Sequence, residues 1–408
     1  MKRRKPAAIS FILILSVLLF TGCETYNNFK SAFFEEGQDP DSVIRIGVFE
    51  PLTGQYHEQG ELEKIGIELA HEFYPRALGK EVELIFADNK SDIYIAETVI
   101  QWLIEKDPAI VLGSYGGVYS LMAAKYLEEA KIPAISITNT NWLITSNNPY
   151  YFRVCFVYSY EGVAVAKYAV EEMGVTSAAI LKPMNDDSAI AVSQEFGGKM
   201  AQLTGDENVI VSSQDFDPLD TDFTAQLNKI KNSNAAVVFM PSSVDAAAEI
   251  LKQAKELKVN AVFLGTDNWE TPELIEKAGA DAVEGVAFST IFDPESGITE
   301  MTPVFMKAYK KKFGEDAAPS SAEALAFDAY MLAIDSINRA ETSINKARIR
   351  KALAGTREFP GASGSITFNE KGDPIKSVVI KKVQNGEIIS AYTVEPTWVV
   401  IEDTEESE

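Results

Sequence analysis

Short strand-like runs alternating with amphipathic helical stretches constrain this chain more than any other feature. Runs at 43–49, 81–87, 110–113 and 133–137 are strand-like. Between them Leu62, Ile65, Leu69 and Phe73 fall at helical spacing, and 93–104 and 121–130 read as helices. Apolar runs of this kind, separated by amphipathic helices, indicate βαβ units and a parallel sheet covered on both faces. The rhythm then restarts. Strand runs at 178–181, 209–211, 235–240 and 261–264 enclose helical stretches at 190–203, 223–231 and 246–257. A helical block at 323–339 and final strand runs at 365–368 and 378–383 break the alternation. Two successive α/β units fit this order, with the chain passing between them more than once. Phe152-Arg153-Val154-Cys155-Phe156 and Gly285-Val286-Ala287-Phe288 are the natural crossing strands.

Ahead of this pattern, Lys2, Arg3, Arg4 and Lys5 precede an apolar run at 7–20 that closes on Thr21-Gly22-Cys23. About 14 apolar residues are too few for a permanent membrane span, so 1–22 reads as an export signal. Cys23 directly after Gly22 resembles the bacterial lipoprotein signal, in which cleavage leaves that Cys at the N-terminus carrying lipid. Phe20 stands where a Leu is usual. The working chain is then extracytoplasmic, held to a membrane through Cys23, with 23–42 as a polar tether and 401–408 as a solvated acidic tail. Roughly 385 residues remain, enough for two full cores. A hydrophobic content of 46% with 24% charged residues is that of a folded chain. The formal net charge of −23 repels nucleic acid and anionic lipid heads. With Cys23 lipidated, Cys155 has no disulfide partner and reads as a small buried hydrophobe. His57 and His71 are too few and too isolated for a catalytic zinc site. No metal or cofactor is expected.

Three loops carry candidate chemistry. Ile110-Val111-Leu112-Gly113-Ser114-Tyr115-Gly116-Gly117-Val118 runs from strand through a glycine-rich turn into a helix. Backbone N–H groups at such a helix start lack partners and favour an anion. The phosphate-binding GxGxxG and GxxxxGK[ST] patterns are absent, which leaves a carboxylate guest or a plain tight turn. Thr138-Asn139-Thr140-Asn141-Trp142 leaves the carboxyl end of another strand, where open α/β sheets bind ligands. Gly265-Thr266-Asp267-Asn268-Trp269 repeats the device in the second unit. There Asp267 either holds a ligand ammonium with Trp269 as an apolar wall, or forms a turn before Thr271-Pro272. Asn185-Asp186-Asp187-Ser188 lines a cleft or caps a helix. Asp215, Asp217, Asp220 and Asp222 lack the Gly and terminal Glu of an EF-hand, and Asp222 reads as an N-cap for the helix from Phe223. GxSxG, HExxH and CxxC are all absent.

Taken together, the pieces resemble the substrate-binding lipoproteins of ABC transporters for branched-chain amino acids, within the type I periplasmic binding protein group. The matching features run from Ile46 to about Pro374. They include Gly47-Val48-Phe49-Glu50-Pro51-Leu52-Thr53-Gly54, Ile132-Pro133-Ala134-Ile135-Ser136, Asp222-Phe223-Thr224-Ala225-Gln226-Leu227, Ala326-Phe327-Asp328-Ala329 and Gly364-Ser365-Ile366-Thr367-Phe368. The resemblance implies an α/β fold of two Rossmann-like lobes, with parallel sheets flanked by helices and three crossing segments. The expected lobes are 43–156 plus 288–358, and 157–287 plus 359–400. It implies carboxylate contacts at Gly116, Gly117, Val118 and Thr140, and ammonium contacts at the Thr138 carbonyl, the Thr140 hydroxyl and Asp267. Gly117 stands where a carboxylate-binding Ser is common, and Asp187 where an aromatic residue often covers the ligand. An acidic wall there favours a polar or cationic ligand over a purely aliphatic one. Tyr115, Trp142 and Trp269 are the candidate stacking surfaces.

The expected function is capture of an amino acid or related zwitterion in the interlobe cleft and delivery to an ABC permease, without chemistry and as a monomer. A ligand sensor of the same fold is the alternative. A secreted hydrolase built on a carboxylate pair is a third reading, disfavoured by the missing nucleophile motifs.

Overall fold

The computed structural model describes residues 43–295 and 299–394. The expected signal 1–22, Cys23, the tether to residue 42 and the tail 401–408 lie outside these residues.

The first sheet contains β1 (Val43–Glu50), β2 (Arg76–Ala77), β3 (Lys80–Asp88), β4 (Ile110–Gly113), β5 (Ala134–Ser136) and β6 (Tyr151–Arg153). Their order is β2-β3-β1-β4-β5-β6, with β1, β4, β5 and β6 parallel. Ile46, Val48, Ile110, Val111 and Leu112 are fully buried, as unbroken apolar runs in a sheet covered on both faces require. Without the short antiparallel β2, the sequence rank of the strands reads 2-1-3-4-5 across the sheet. That is the doubly wound order whose switch point lies between the first and third strands, here β1 and β4.

The second sheet repeats this order. It holds β7 (Ala178–Pro183), β8 (Ile210–Phe216), β9 (Val237–Phe239), β10 (Val262–Gly265) and β11 (Ala287–Thr290). Read as β8-β7-β9-β10-β11, all parallel, it is again 2-1-3-4-5, with the switch point between β7 and β9. A small antiparallel sheet of β12 (Phe359–Gly361), β13 (Gly364–Phe368) and β14 (Pro374–Ile375) follows. The described chain ends with β15 (Val378–Gln384) and β16 (Glu387–Val394), which extend the second sheet antiparallel from β11.

The chain therefore crosses between lobes three times, after β6, after β11 and between β14 and β15. The strand pairings place the crossings differently from the sequence expectation. Phe288, Ser289 and Thr290 still pair in the second sheet. Residues 359–375, expected with the second lobe, bond to the first. The Arg153 N–H donates to the Gly372 carbonyl at 3.1 Å, and the Ser363 N–H donates to the buried Asp328 carboxylate at 2.9 Å. Phe152 and Phe368 pack with ring centroids 5.2 Å apart.

Helix Ser321–Ala340 starts at a capping box between Ser320 and Glu323 and crosses the first lobe almost wholly buried. It lies so close to helix His57–Phe73 that a Cβ on Gly66 would sit 2.2 Å from the Glu323 carbonyl oxygen. In the second lobe, a Cβ on Gly162 would meet the Val192 carbonyl at 2.2 Å, so helix Ser159–Lys167 packs directly on helix Asp187–Thr204. Helix Thr224–Ser233 begins one residue later than expected, and Asp222 accepts from the Thr224 N–H at 2.9 Å. The neighbouring acids are turn groups or ion-paired: Asp220 accepts from the Asp217 N–H, and Asp215 pairs with Lys182.

The first crossing is anchored by Arg153, whose side chain is fully buried. Its Nε pairs with Asp373 at 2.7 Å, and its other nitrogens donate to the Asn139 carbonyl (3.0 Å) and the Thr145 hydroxyl (2.8 Å). Cys155 is buried beside it and donates to the same Asn139 carbonyl, and burial pushes its thiol up to about 12.

Candidate ligand-binding site

The carboxyl ends of the parallel strands in both lobes border one cavity of about 540 Å³. From the first lobe come Tyr56, Tyr115, Gly116, Gly117, Thr138, Asn139 and Thr140. The second lobe contributes Asp186, Ser188, Asp267 and Asn268, and Tyr158 joins them from the first crossing. These are the loops that follow β1, β4, β5, β7 and β10, where a doubly wound sheet leaves its crevice.

Gly116 adopts φ +87°, a left-handed conformation that turns the chain from β4 into helix Gly117–Ala130 with no side-chain cap. The Tyr119 and Ser120 N–H groups fold back onto the Gly116 carbonyl. Among the described residues the N–H groups of Gly117 and Val118 have no such partner, as the first N–H groups of a helix commonly lack one. Asn139 clamps this turn to the next loop, donating to the Ser114 carbonyl (2.8 Å) and the Ser120 hydroxyl (2.9 Å). Thr140 is held in place by the Tyr158 N–H, which donates to its carbonyl at 3.2 Å.

Carboxyl groups lie beneath both walls. In the first lobe, Glu50 accepts from the Tyr115 N–H at 2.7 Å, and Glu63 accepts from the Thr138 hydroxyl. Burial, then the Glu63 charge, holds Glu50 well above the usual carboxylate range, and burial pushes Glu63 up to about 7. The two acids lie close enough for the charge of one to disfavour ionisation of the other. In the second lobe, Glu161 accepts from the Asp267 N–H (3.3 Å) and the Ser289 hydroxyl (2.9 Å). Burial, then the Asp267 charge, raises Glu161 strongly, and burial pushes Asp267 up to about 6. Among the described residues, no lysine, arginine or histidine lines the cavity.

Of the sequence candidates, Tyr115, Gly116, Gly117, Thr138, Thr140 and Asp267 are brought together. Four others are not among the lining residues. Val118 and Trp142 are largely exposed, at 56% and 59%. Asp187 is exposed at the first turn of its helix; Asp186 one residue earlier, also exposed, borders the cavity and caps the helix through the Ala189 N–H at 2.9 Å. Trp269 is not a ligand wall: it is fully buried in the second-lobe core. Its indole lies over Gly265, where a Cβ would meet it at 2.2 Å, and its Nε1 donates to the Ser242 carbonyl at 3.0 Å. It props the Asp267 turn from behind. Cys23 lies outside the described residues.

The sequence reading missed Tyr56 and Tyr158; Asn139, Asp186, Ser188 and Asn268 lay in its candidate loops without being singled out as ligand contacts. It also missed the buried acids, although Glu63 carried a signal. Gly60, Glu63, Ile67 and Ala70 fall on one buried helical stripe, and a lone carboxylate in such a stripe is rarely idle.

Residues 43–387 match the family model described as periplasmic binding protein. The chain is 26% identical over 340 residues to Leu/Ile/Val-binding protein homolog 2 of Brucella abortus, covering 81% of this chain and 87% of the relative. The crystal structure of a leucine-binding protein, LivK, from Thermotoga maritima superposes with a TM-score of 0.72 at 32% identity, covering 86% of this chain and 99% of that one. The branched-chain amino acid transporter substrate-binding protein LivJ of Streptococcus pneumoniae, in complex with isoleucine, shares the fold with a TM-score of 0.70 at 24% identity, covering 87% and 100%.

Proposed function

The chain belongs to the periplasmic binding protein family, and from that premise we propose that it captures a free amino acid in the interlobe cavity and delivers it to an ABC transporter permease. It is a solute-binding protein, not an enzyme. One observation supports the amino-acid reading: the helix-start turn at Gly116 and Gly117 and the carboxylate of Asp267 come from different lobes and line one cavity. The α-carboxylate takes the first lobe's N–H groups and the Thr140 hydroxyl. The α-ammonium takes the Thr138 carbonyl and Asp267. A ligand held this way bridges the lobes, and only contacts made in the closed state shift the balance toward closure. Micromolar affinity needs about 8 kcal/mol, within reach of several charge-assisted hydrogen bonds plus burial of a small side chain. Lipid on Cys23 would keep the protein beside its permease.

Isothermal calorimetry with an amino-acid panel tests the reading. At least one amino acid is expected to bind at micromolar strength, and Asp267→Ala to weaken it by about 1.5–3 kcal/mol, the worth of a hydrogen bond to a charged group. Undiminished binding by that variant would remove Asp267 from the ammonium site.

A further inference from the structure

The cavity's charge does not balance a simple zwitterion, and its walls do not suit an aliphatic side chain. A neutral amino acid brings one cation and one anion. The second lobe alone presents Asp186 and Asp267 at the cavity surface, with Glu161 behind Asp267. Among the described residues, no cationic side chain lines this cavity to offset them, and no leucine, isoleucine, valine or methionine lines it. The wall is instead Tyr56, Tyr115 and Tyr158, with the Tyr56 and Tyr115 rings 5.9 Å apart. Tyrosine faces attract a positive charge within about 6 Å.

Asp186 marks where the surplus negative charge sits. One of its oxygens accepts from the Ala189 N–H, and the other has no protein donor among the described residues. A second cavity of about 330 Å³ adjoins the first, sharing Tyr158, Asp186 and Asn268 and ending against Pro241 and Ser242. Among the described residues it too has no lysine, arginine or histidine, and Pro183, Ala189 and Val244 give it an apolar side along which a methylene stem can lie. A side chain leaving the α-carbon at Asp267 therefore runs past Tyr158 toward Asp186.

We propose that the ligand is an amino acid whose side chain ends in a cation, an ammonium or a guanidinium, paired with Asp186 beside the Tyr158 ring. The inference rests on the amino-acid reading above and narrows it. Two carboxylates of the second lobe then meet two ligand cations, and the helix start of the first lobe meets the one ligand anion.

Lysine and norleucine test it, because they share a chain length and differ in the terminal group. Calorimetry on the full extracytoplasmic chain is expected to show lysine or arginine at least about tenfold tighter than norleucine and leucine. Asp186→Asn, whose amide oxygen still caps Ala189, is expected to lower lysine to the norleucine level. If norleucine or leucine binds as tightly as lysine and arginine, or if Asp186→Asn keeps the preference for lysine, the cationic side chain is wrong and the amino-acid site stands. If no amino acid binds, both readings fall.

Discussion

Asp267 makes ligand affinity depend on pH in a range where an ordinary aspartate would not. Burial lifts it from 3.8 to about 6, and the Glu270 charge adds to the rise. A ligand ammonium gains from the ionised form and loses that partner when Asp267 is protonated. If only the ionised form binds, the apparent Kd scales as one plus the ratio of protonated to ionised Asp267. With the group at about 6, that factor is about 1 at pH 7.5 and about 11 at pH 5, a loss of about 1.4 kcal/mol. An aspartate at 3.8 would change the same ratio by less than about 10%. The stability of the free protein moves the other way. Because the folded value lies above the unfolded one, the contribution from Asp267 is fully present below about pH 4 and lost as pH rises through about 6. Calorimetric titrations at pH 5, 6 and 7.5 on the wild type and Asp267→Asn give the answer. The wild type is expected to weaken about tenfold toward pH 5, and the amide variant to bind weakly at every pH with no slope. A flat wild-type profile would refute the reasoning. A slope that survives in Asp267→Asn would assign the proton to Glu63, which burial holds near 7 in the opposite wall.

Two substitutions probe the walls from behind. Gly117→Ser places a hydroxyl at the carboxylate end, with its Cβ 3.3 Å from the Asn139 Oδ1, and is expected to tighten binding by about 0.5–1.5 kcal/mol in calorimetry; weaker binding would move the carboxylate away from this turn. Gly265→Ala drives a methyl group into the Trp269 indole and is expected to lower unfolding stability in urea by about 1–3 kcal/mol while also weakening ligand binding, because the displaced indole supports Asp267.

The lobes were legible in the sequence because strands covered on both faces are written as short unbroken apolar runs. The run at 110–113 became β4 at the same residues. What stayed hidden depended on partners remote in the chain. Residues 359–375 look like a continuation of the second lobe until the Arg153–Asp373 pair ties them to the first. The glycine turn and Asp267 were visible because strand ends announce a doubly wound crevice. Asp186 and Asp187 were confused because a capping residue and the first helical residue differ by one position, yet face different ways. Trp269 looked like a ligand wall because no local pattern records that Gly265 leaves room for an indole behind it. Tyr158 lies in the crossing after β6, away from either switch point, and reaches the site only through the fold of that crossing.

Asn139 joins two jobs that are usually separate. Its side chain fixes the helix-start turn, and its carbonyl receives both Arg153 and Cys155 at the root of the first crossing. Loop and pivot are thus one stiff piece, and the swing of the lobes falls to the short stretches beyond Cys155, beyond Thr290 and around Lys376. A guest that tugs on Thr138 or Thr140 pulls on the hinge post itself.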